Sequence, residues 1–106
     1  MTSRIAPFSR DFARSLPKAE LHVHLEGSVD PVTMLALAEH HGEIPPAADE
    51  AGIRKWLQFD GFPAFLERFF FICNLLRSGE DFQRITESYL CATHEQGCVH
   101  VEFHVS

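Results

Sequence analysis

The order of predicted elements indicates an α/β protein with a parallel sheet. The segment AELHVHLEGSV predicts a short strand over Glu20 to Leu25, bounded by a glycine. The last stretch, CVHVEFHVS, alternates strictly between apolar and polar residues, as a strand with two different faces does. Several helices are predicted between these strands, and a strand, a helical crossover and a second strand are typical of the opening of a parallel sheet. Two strands do not complete such a sheet, so we expect these residues to be the opening part of a larger domain.

Capping signals predict where the first helices begin and end. We expect a short helical turn in FSRDFARSLPK to end at Pro17, because proline disfavours helical geometry in the residue before it. Asp30 followed by Pro31 predicts a helix start, since an N-cap side chain precedes the residue best suited to the first helical position. Gly42 predicts the end of that helix. We expect EIPPAADEAG to be a loop and EAGIRKWLQF to hold a short helix.

Two longer helices are predicted in the rest of the crossover. Apolar residues lie on more than one face of residues 62–76, and a helix of that kind is buried on two sides or covers something. Ser78 and Asp81 resemble a capping box that opens the second helix. That helix is expected to stop at Gly97 and to present one apolar face, formed by Phe82, Ile85, Tyr89 and Ala92.

The composition excludes several classes of partner. The 106 residues are 45% hydrophobic and 23% charged, with a formal net charge of -6, which fits a globular domain without affinity for nucleic acid or an anionic membrane. The longest apolar run, residues 69–73, is too short to span a bilayer. The first residues contain no apolar core of signal-peptide length. The three cysteines show no C-x-x-C spacing, which indicates a reducing, cytoplasmic setting.

His22 and His24 are the candidate metal ligands. Side chains two residues apart on a strand point to the same face, so Leu21, Val23 and Leu25 are expected on the opposite, apolar side. Two imidazoles one strand repeat apart can reach one ion, and a neutral histidine nitrogen is a common zinc ligand. Ordinary hydrogen bonding is the alternative. We favour the metal because an acidic residue and a glycine follow the pair almost at once.

The other histidines are weaker candidates. A catalytic zinc normally has three protein ligands and a water, so two imidazoles are too few. His100 and His104 lie with Glu102 on the polar face of the second strand, and a local site that includes one of them is conceivable but not favoured. For the histidines near helix ends a structural role is predicted, since imidazolium there meets the helix dipole favourably; these are His40, His41 and His94.

The segment LPKAELHVHLEGSVDP closely resembles the opening of the adenosine deaminase family, within the metal-dependent amidohydrolases. FPAFLERF is similar to the family's helix over the substrate pocket, and GCVHVEFHVS occupies the place of its second barrel strand. The likeness extends over residues 16–106. It implies a (β/α)₈ TIM-type barrel with the active site at the C-terminal ends of the strands. Residues 1–106 would form the N-terminal part of that single domain: the first two strands with helical insertions.

The resemblance also implies a function. Members are zinc-dependent hydrolytic deaminases in which a metal-activated water attacks C6 of an adenine-type ring and ammonia leaves. By motif position, His22 and His24 match the first two zinc ligands, while a later histidine, a later aspartate and a later glutamate complete the family's site. The matching substrate-binding positions are Glu26, Phe62, Phe65 and Phe69. A small purine is then the expected partner, with the rest of the barrel outside these residues.

Two residues depart from the typical adenosine enzyme. Glu26 stands where aspartate usually contacts the ribose, and His104 stands where arginine is usual. Members that act on free adenine or other adenine-bearing compounds are similar in having glutamate, so these substrates compete with adenosine itself. Plain alternatives exist as well. Glu26 is equally explained as a turn carboxylate that bonds backbone, and the phenylalanines as helix core.

Two other classes of function remain open. One is a different metallohydrolase on the same barrel, which cleaves amides or esters; the other is a non-catalytic module or truncated product. The zinc deaminase design with P-C-x-x-C is excluded, because no C-x-x-C occurs. We expect residues 1–106 alone to lack deaminase activity and to bind zinc weakly. The apolar face of the second strand, with Val101, Phe103 and Val105, would then be exposed where the rest of a barrel should cover it.

Overall fold

The computed structural model describes residues 8–106 and gives the expected order of a strand, helices and a second strand. The strands are β1 (Lys18–His24) and β2 (Cys98–His104), and they pair in parallel, which confirms the predicted topology. A 3₁₀ turn, Leu25–Ser28, follows β1 directly. The helices are α1 (Arg10–Ser15), α2 (Pro31–His41), α3 (Glu50–Trp56), α4 (Gly61–Asn74) and α5 (Gly79–Glu95). None of the helices in these residues is long and apolar enough to cross a bilayer.

β1 differs from the predicted strand at both ends. Leu25 is not its last residue, because the Ser28 hydroxyl donates to the Leu25 carbonyl oxygen at 2.6 Å and closes the 3₁₀ turn. Leu25 is buried in that turn, whereas Leu21 is 60% exposed. The expectation that Leu21, Val23 and Leu25 share one buried apolar side is therefore wrong. A register shift between Glu20 and Val23 interrupts the regular alternation of side chains along β1.

The ends of α2 are those that the sequence predicts. The Asp30 carboxylate accepts a hydrogen bond from the Thr33 amide at 2.7 Å, as an N-cap does. Gly42 adopts the left-handed conformation with φ 66°, and its amide donates to carbonyl oxygens of the last turn. Between these caps the helix buries one face completely, with Met34, Leu37 and Ala38 at 0% exposure.

Helices α2 and α5 lie antiparallel and are joined at both ends. The Ser88 hydroxyl donates to the Asp30 carboxylate at 2.6 Å near the start of α2. At the other end of α2, the His41 Nε2 lies 2.7 Å from Oδ2 of Asp81, in the first turn of α5. Because these pairs run in opposite directions along the two helices, they fix both the orientation and the axial position of α2 against α5.

The hydrophobic core lies in the crossover rather than on the strands. Its buried residues are Leu25, Val29, Met34, Leu37, Ala38, Ile53, Ile72, Leu75, Ile85 and Tyr89. Val23 and Val101 reach this cluster from the strands, but Val99 and Val105 are exposed. The prediction that Ala92 shares the buried face of α5 is wrong, because Ala92 is exposed and Thr93 is buried in that turn. The helical layer therefore holds most of the apolar burial in residues 8–106.

The predicted capping box at the start of α5 is present. The Ser78 side chain accepts from the Asp81 amide, and the Asp81 side chain accepts from the Ser78 amide. Asp81 Oδ2 also accepts from the Arg77 amide at 2.8 Å and pairs with His41. Burial alone would raise the pKa of Asp81, but the Arg77 amide and His41 stabilise the carboxylate, and together they hold its pKa below the usual 3.8.

We expect Asp81→Ala to lower the free energy of unfolding by about 1–3 kcal/mol, because His41 and the Arg77 and Ser78 amides lose the acceptor of their partly buried hydrogen bonds. A carboxyl group with a lowered folded-state pKa stabilises the protein above its unfolded pKa. That contribution disappears as the pH falls through the folded-state pKa. The difference in free energy of unfolding between wild type and variant should therefore narrow below about pH 4.

Urea unfolding of the full-length polypeptide at neutral and acidic pH measures this difference. Glu80→Ala, in the same turn but exposed, is the control, and an equal loss in both variants would contradict the prediction.

Candidate metal and substrate site

An open pocket of about 560 Å³ lies at the C-terminal end of β1. Its volume is within the range of small-molecule sites. Three parts of the chain line it: the strand, the turn after it with the end of β2, and one face of α4. The lining residues from the strand are Glu20, His22, Val23 and His24; those from the turn are Gly27 and Ser28, and Ser106 follows β2; those from α4 are Phe62, Phe65, Leu66 and Phe69. Polar strand ends and an apolar helix face therefore meet in one concave surface.

Both candidate metal ligands point into this pocket. The rings of His22 and His24 lie edge to face with their centroids 5.5 Å apart. Neither imidazole makes a hydrogen bond to any of residues 8–106, and both residues are exposed. Their nitrogens are therefore available to an external ligand, and two imidazoles at one strand end suit a divalent ion such as Zn²⁺.

His22 reaches the pocket through an unusual backbone conformation. Its φ is 62°, in the left-handed region that residues with a Cβ rarely adopt. The position falls within the register shift, where Glu20 pairs with Val101 and Val23 pairs with Phe103. A bulge of this kind inserts one extra residue and redirects a side chain. The local strain thus accompanies the orientation of a candidate ligand.

A third imidazole, that of His104, lies beside the pair. His104 is paired with His24 across the two strands. Its ring centroid is 4.6 Å from that of His22 and 5.7 Å from that of His24. The alternation of β2 indicates that His104 lies on the polar face, but the sequence does not fix the register of β2 beside β1. In the structure, the pairing of His104 with His24 fixes that register.

The apolar side of the pocket is a row of aromatic rings on α4. Phe62, Phe65 and Phe69 are stacked in succession, with centroids 6.0 Å apart at each step and interplanar angles of 25° and 23°. Phe71, on the other side of the helix, packs against the core, and Ile72, in the turn after Phe69, is buried in it. The predicted two-sided character of this helix is thus explained: one side is core and the other lines the pocket.

Glu26 lies beneath the pocket surface rather than on it. It is 2% exposed, and its Oε1 accepts a hydrogen bond from the Ser106 amide at 2.7 Å. Its Oε2 is buried without a hydrogen-bond partner among residues 8–106. Burial first and the Glu26 carboxylate second raise the pKa of the Cys73 thiol, so Glu26 also faces α4. The carboxylate therefore connects the turn after β1 with the end of β2.

Comparison with known proteins identifies the family. The adenosine deaminase family model matches residues 17–106. This chain belongs to the adenosine deaminase family. It is 39% identical over 92 residues to an adenine deaminase of Pseudomonas fluorescens, a match that covers 87% of this chain. It is 42% identical over 92 residues to an adenine deaminase of Ectopseudomonas mendocina.

A solved structure supports the same assignment. The crystal structure of adenine deaminase from Arthrobacter aurescens superimposes on 84% of this chain with a TM-score of 0.75 and 32% sequence identity. The chain covers 27% of that structure and 29% of the two curated relatives. The predicted fold class is confirmed: the chain is the N-terminal part of an α/β TIM-type barrel, with two of its parallel strands.

Other histidines of this adenosine deaminase family member form a separate group. Within residues 8–106, one set of three potential metal ligands has its donor atoms within 4.8 Å of one another: His40, His41 and Asp81. Asp81 there already accepts hydrogen bonds from His41 and from two backbone amides. This group caps and joins helices α2 and α5. His100 makes an exposed pair with Glu102 at 2.8 Å.

We expect His22→Gly to be more stable than His22→Ala by about 1 kcal/mol, because glycine adopts a positive φ without the steric cost of a Cβ. Both variants remove the same imidazole, so their difference isolates the backbone. The order should reverse at His24, whose φ of -83° is ordinary extended backbone and where alanine is the better residue. Chemical unfolding of the four variants tests this. If the alanine and glycine variants were equally stable at both positions, the prediction of backbone strain at His22 would be wrong.

Proposed function

We propose that this chain provides part of the active site of a hydrolytic deaminase that acts on an adenine-type ring. The observation on which the proposal rests is the shared pocket: two free imidazoles on a strand end face a row of stacked phenylalanines. In the reaction, a water oxygen replaces the exocyclic amino group of the ring, which leaves as ammonia. The family assignment and the adenine deaminase relatives support this choice over other hydrolytic reactions.

His22 and His24 are proposed to hold a zinc ion. Catalytic zinc takes three protein ligands and leaves one position open, so these two imidazoles would be completed by residues beyond this segment. When bound, such an ion supplies a Lewis acid that lowers the pKa of a water. The role of the two histidines is to present imidazole nitrogens at a fixed strand end. The exposed His100, paired with Glu102, is not part of this set.

Phe62, Phe65 and Phe69 are proposed to bind the flat face of the purine. Aromatic rings in offset or edge contact bind other aromatic rings favourably, and their apolar surface displaces water from the base. Because the row lies across the pocket from the histidines, a base held against it is placed between the apolar wall and the metal ligands. An adenine-sized ring is accommodated by the volume of about 560 Å³.

Glu26 is proposed to assist substrate binding from beneath the pocket. Its neighbours Gly27 and Ser28 line the pocket, and Oε2 is an unused buried acceptor. Its carboxylate holds the turn that carries these two residues against the end of the chain through the Ser106 amide. Free adenine or another adenine-bearing compound fits this arrangement as well as adenosine does. In this proposal residues 1–106 are one part of a single barrel domain that works in the cytoplasm.

The first test of the proposal is removal of one metal ligand. We expect His24→Ala to lower the zinc content of the full-length polypeptide below one ion per chain and to abolish ammonia release from adenine, because the remaining imidazole holds the ion poorly. Metal analysis and an ammonia assay measure the two effects. His100→Ala, on the exposed pair of β2, is the matched control and should retain both.

Two outcomes of that test would contradict the proposal. Retention of zinc and activity by His24→Ala would show that the ion and the chemistry lie elsewhere. Cleavage of amides or esters by the zinc-loaded protein, without deamination of adenine, adenosine or larger adenine compounds, would identify another metallohydrolase on the same barrel.

The second test concerns the aromatic wall. We expect Phe69→Ala to raise the KM for the purine about tenfold or more with a smaller change in kcat, because the variant loses aromatic packing worth about 1.5 kcal/mol or more. Steady-state kinetics on adenine measures the effect. Phe70→Ala is the control, since Phe70 is the next residue of α4 and does not line the pocket. Equal KM changes in both variants would contradict a role for the wall in binding the base.

A further inference from the structure

We propose that His104 is a positioning residue that holds the His22 imidazole in its metal-binding orientation. The proposal rests on the proposed role of His22 and His24 as metal ligands, and it assigns a separate role to the third imidazole. Three observations support it: the strained backbone of His22, the ring contact between His22 and His104, and the way in which β2 is fixed against β1.

The backbone of His22 requires support from its surroundings. A residue with a Cβ at φ 62° is held in a sparsely populated conformation, and such conformations persist where neighbouring structure determines them. No hydrogen bond within residues 8–106 holds the His22 ring. Ring packing is therefore the interaction available to fix its orientation.

His104 provides that packing. Its ring meets the His22 ring at an interplanar angle of 63° with centroids 4.6 Å apart, the closest of the three contacts among these imidazoles. This is the edge-to-face arrangement that planar rings favour. The contact of His104 with His24 is longer, at 5.7 Å, and tilted at 41°. The support is thus directed chiefly to the ligand with the strained backbone.

The position of His104 is itself fixed at two points. Across the sheet it is in register with His24. Two residues further on, the Ser106 amide donates to the buried Glu26 carboxylate at 2.7 Å, which fastens the end of β2 to the turn after β1. A ring held between these two points can restrain its neighbour, whereas a ring on a loose strand end could not.

The geometry separates this role from direct metal binding. Among residues 8–106, the one group of three potential metal ligands that lies close together is His40, His41 and Asp81, and it includes none of the three strand imidazoles. His104 is also absent from the residues that line the pocket. It therefore acts through His22. Positioning groups next to metal ligands commonly contribute about 10–100-fold to metal affinity.

The experiment measures zinc affinity and the Co²⁺ absorption spectrum in the full-length polypeptide. We expect His104→Ala to weaken zinc binding about tenfold and to change the Co²⁺ bands, because the His22 ring becomes free to rotate. His104→Phe keeps an aromatic ring but has no nitrogen, so it should restore the affinity and the spectrum. His100→Ala, on the same face of β2, should match wild type. Thermal unfolding of each variant confirms that the fold is retained.

Two results would overturn the proposal. If His104→Ala binds zinc as tightly as wild type, His104 does not position His22. If His104→Phe is as weak as His104→Ala, the nitrogen of His104 is required and the residue is itself a ligand. Failure of the proposed function gives a different pattern, since His24→Ala would then retain zinc whatever the result at His104.

Discussion

Parallel pairing of β1 with β2 is the constraint on which the candidate site depends. Parallel strands place both of their C-terminal ends at the same edge of the sheet, where active sites of such barrels lie. His24 therefore meets His104, and Ser106 comes within reach of Glu26. An antiparallel pair would send His104 toward Lys18, at the opposite edge. Parallel pairing also requires a long crossover, which residues 25–97 provide as a layer of helices.

The bulge in β1 sets the orientation of one candidate ligand, His22, at the edge that the parallel pairing defines. Regular alternation would place every second side chain on one face, and a single extra residue alters that pattern between Glu20 and Val23. The bulge places the His22 backbone in the left-handed conformation and leaves the Leu21 side chain exposed. The result is a ring that contacts a neighbouring strand as well as its own. Strained residues of this kind are concentrated at functional sites.

The sequence predicts those features that depend on neighbouring residues. Asp30 and Gly42 are caps whose chemistry is local, and Ser78 with Asp81 forms a box within one turn, so all four were predictable. Features that depend on distant pairing were not. The bulge at His22, the contact of His104 with His22 and the bond between Glu26 and Ser106 arise only when β2 takes its register beside β1. Thr93, rather than the predicted Ala92, lies on the buried face of α5, because helix packing and not polarity decides which residue faces inward.

The placement of the core within the crossover has a consequence for the order of folding. Among residues 8–106, all of the buried apolar residues of the core lie between Leu25 and Tyr89, so they are synthesised before β2 begins at Cys98. Contacts among these helices are closer in sequence than the contact between the strands, and closing a short stretch of chain costs less entropy than closing a long one. A chain that emerges from the ribosome can therefore assemble the helical layer first. The sheet then closes on a surface already formed, and the edge that carries the candidate site is the last part of this segment to be completed.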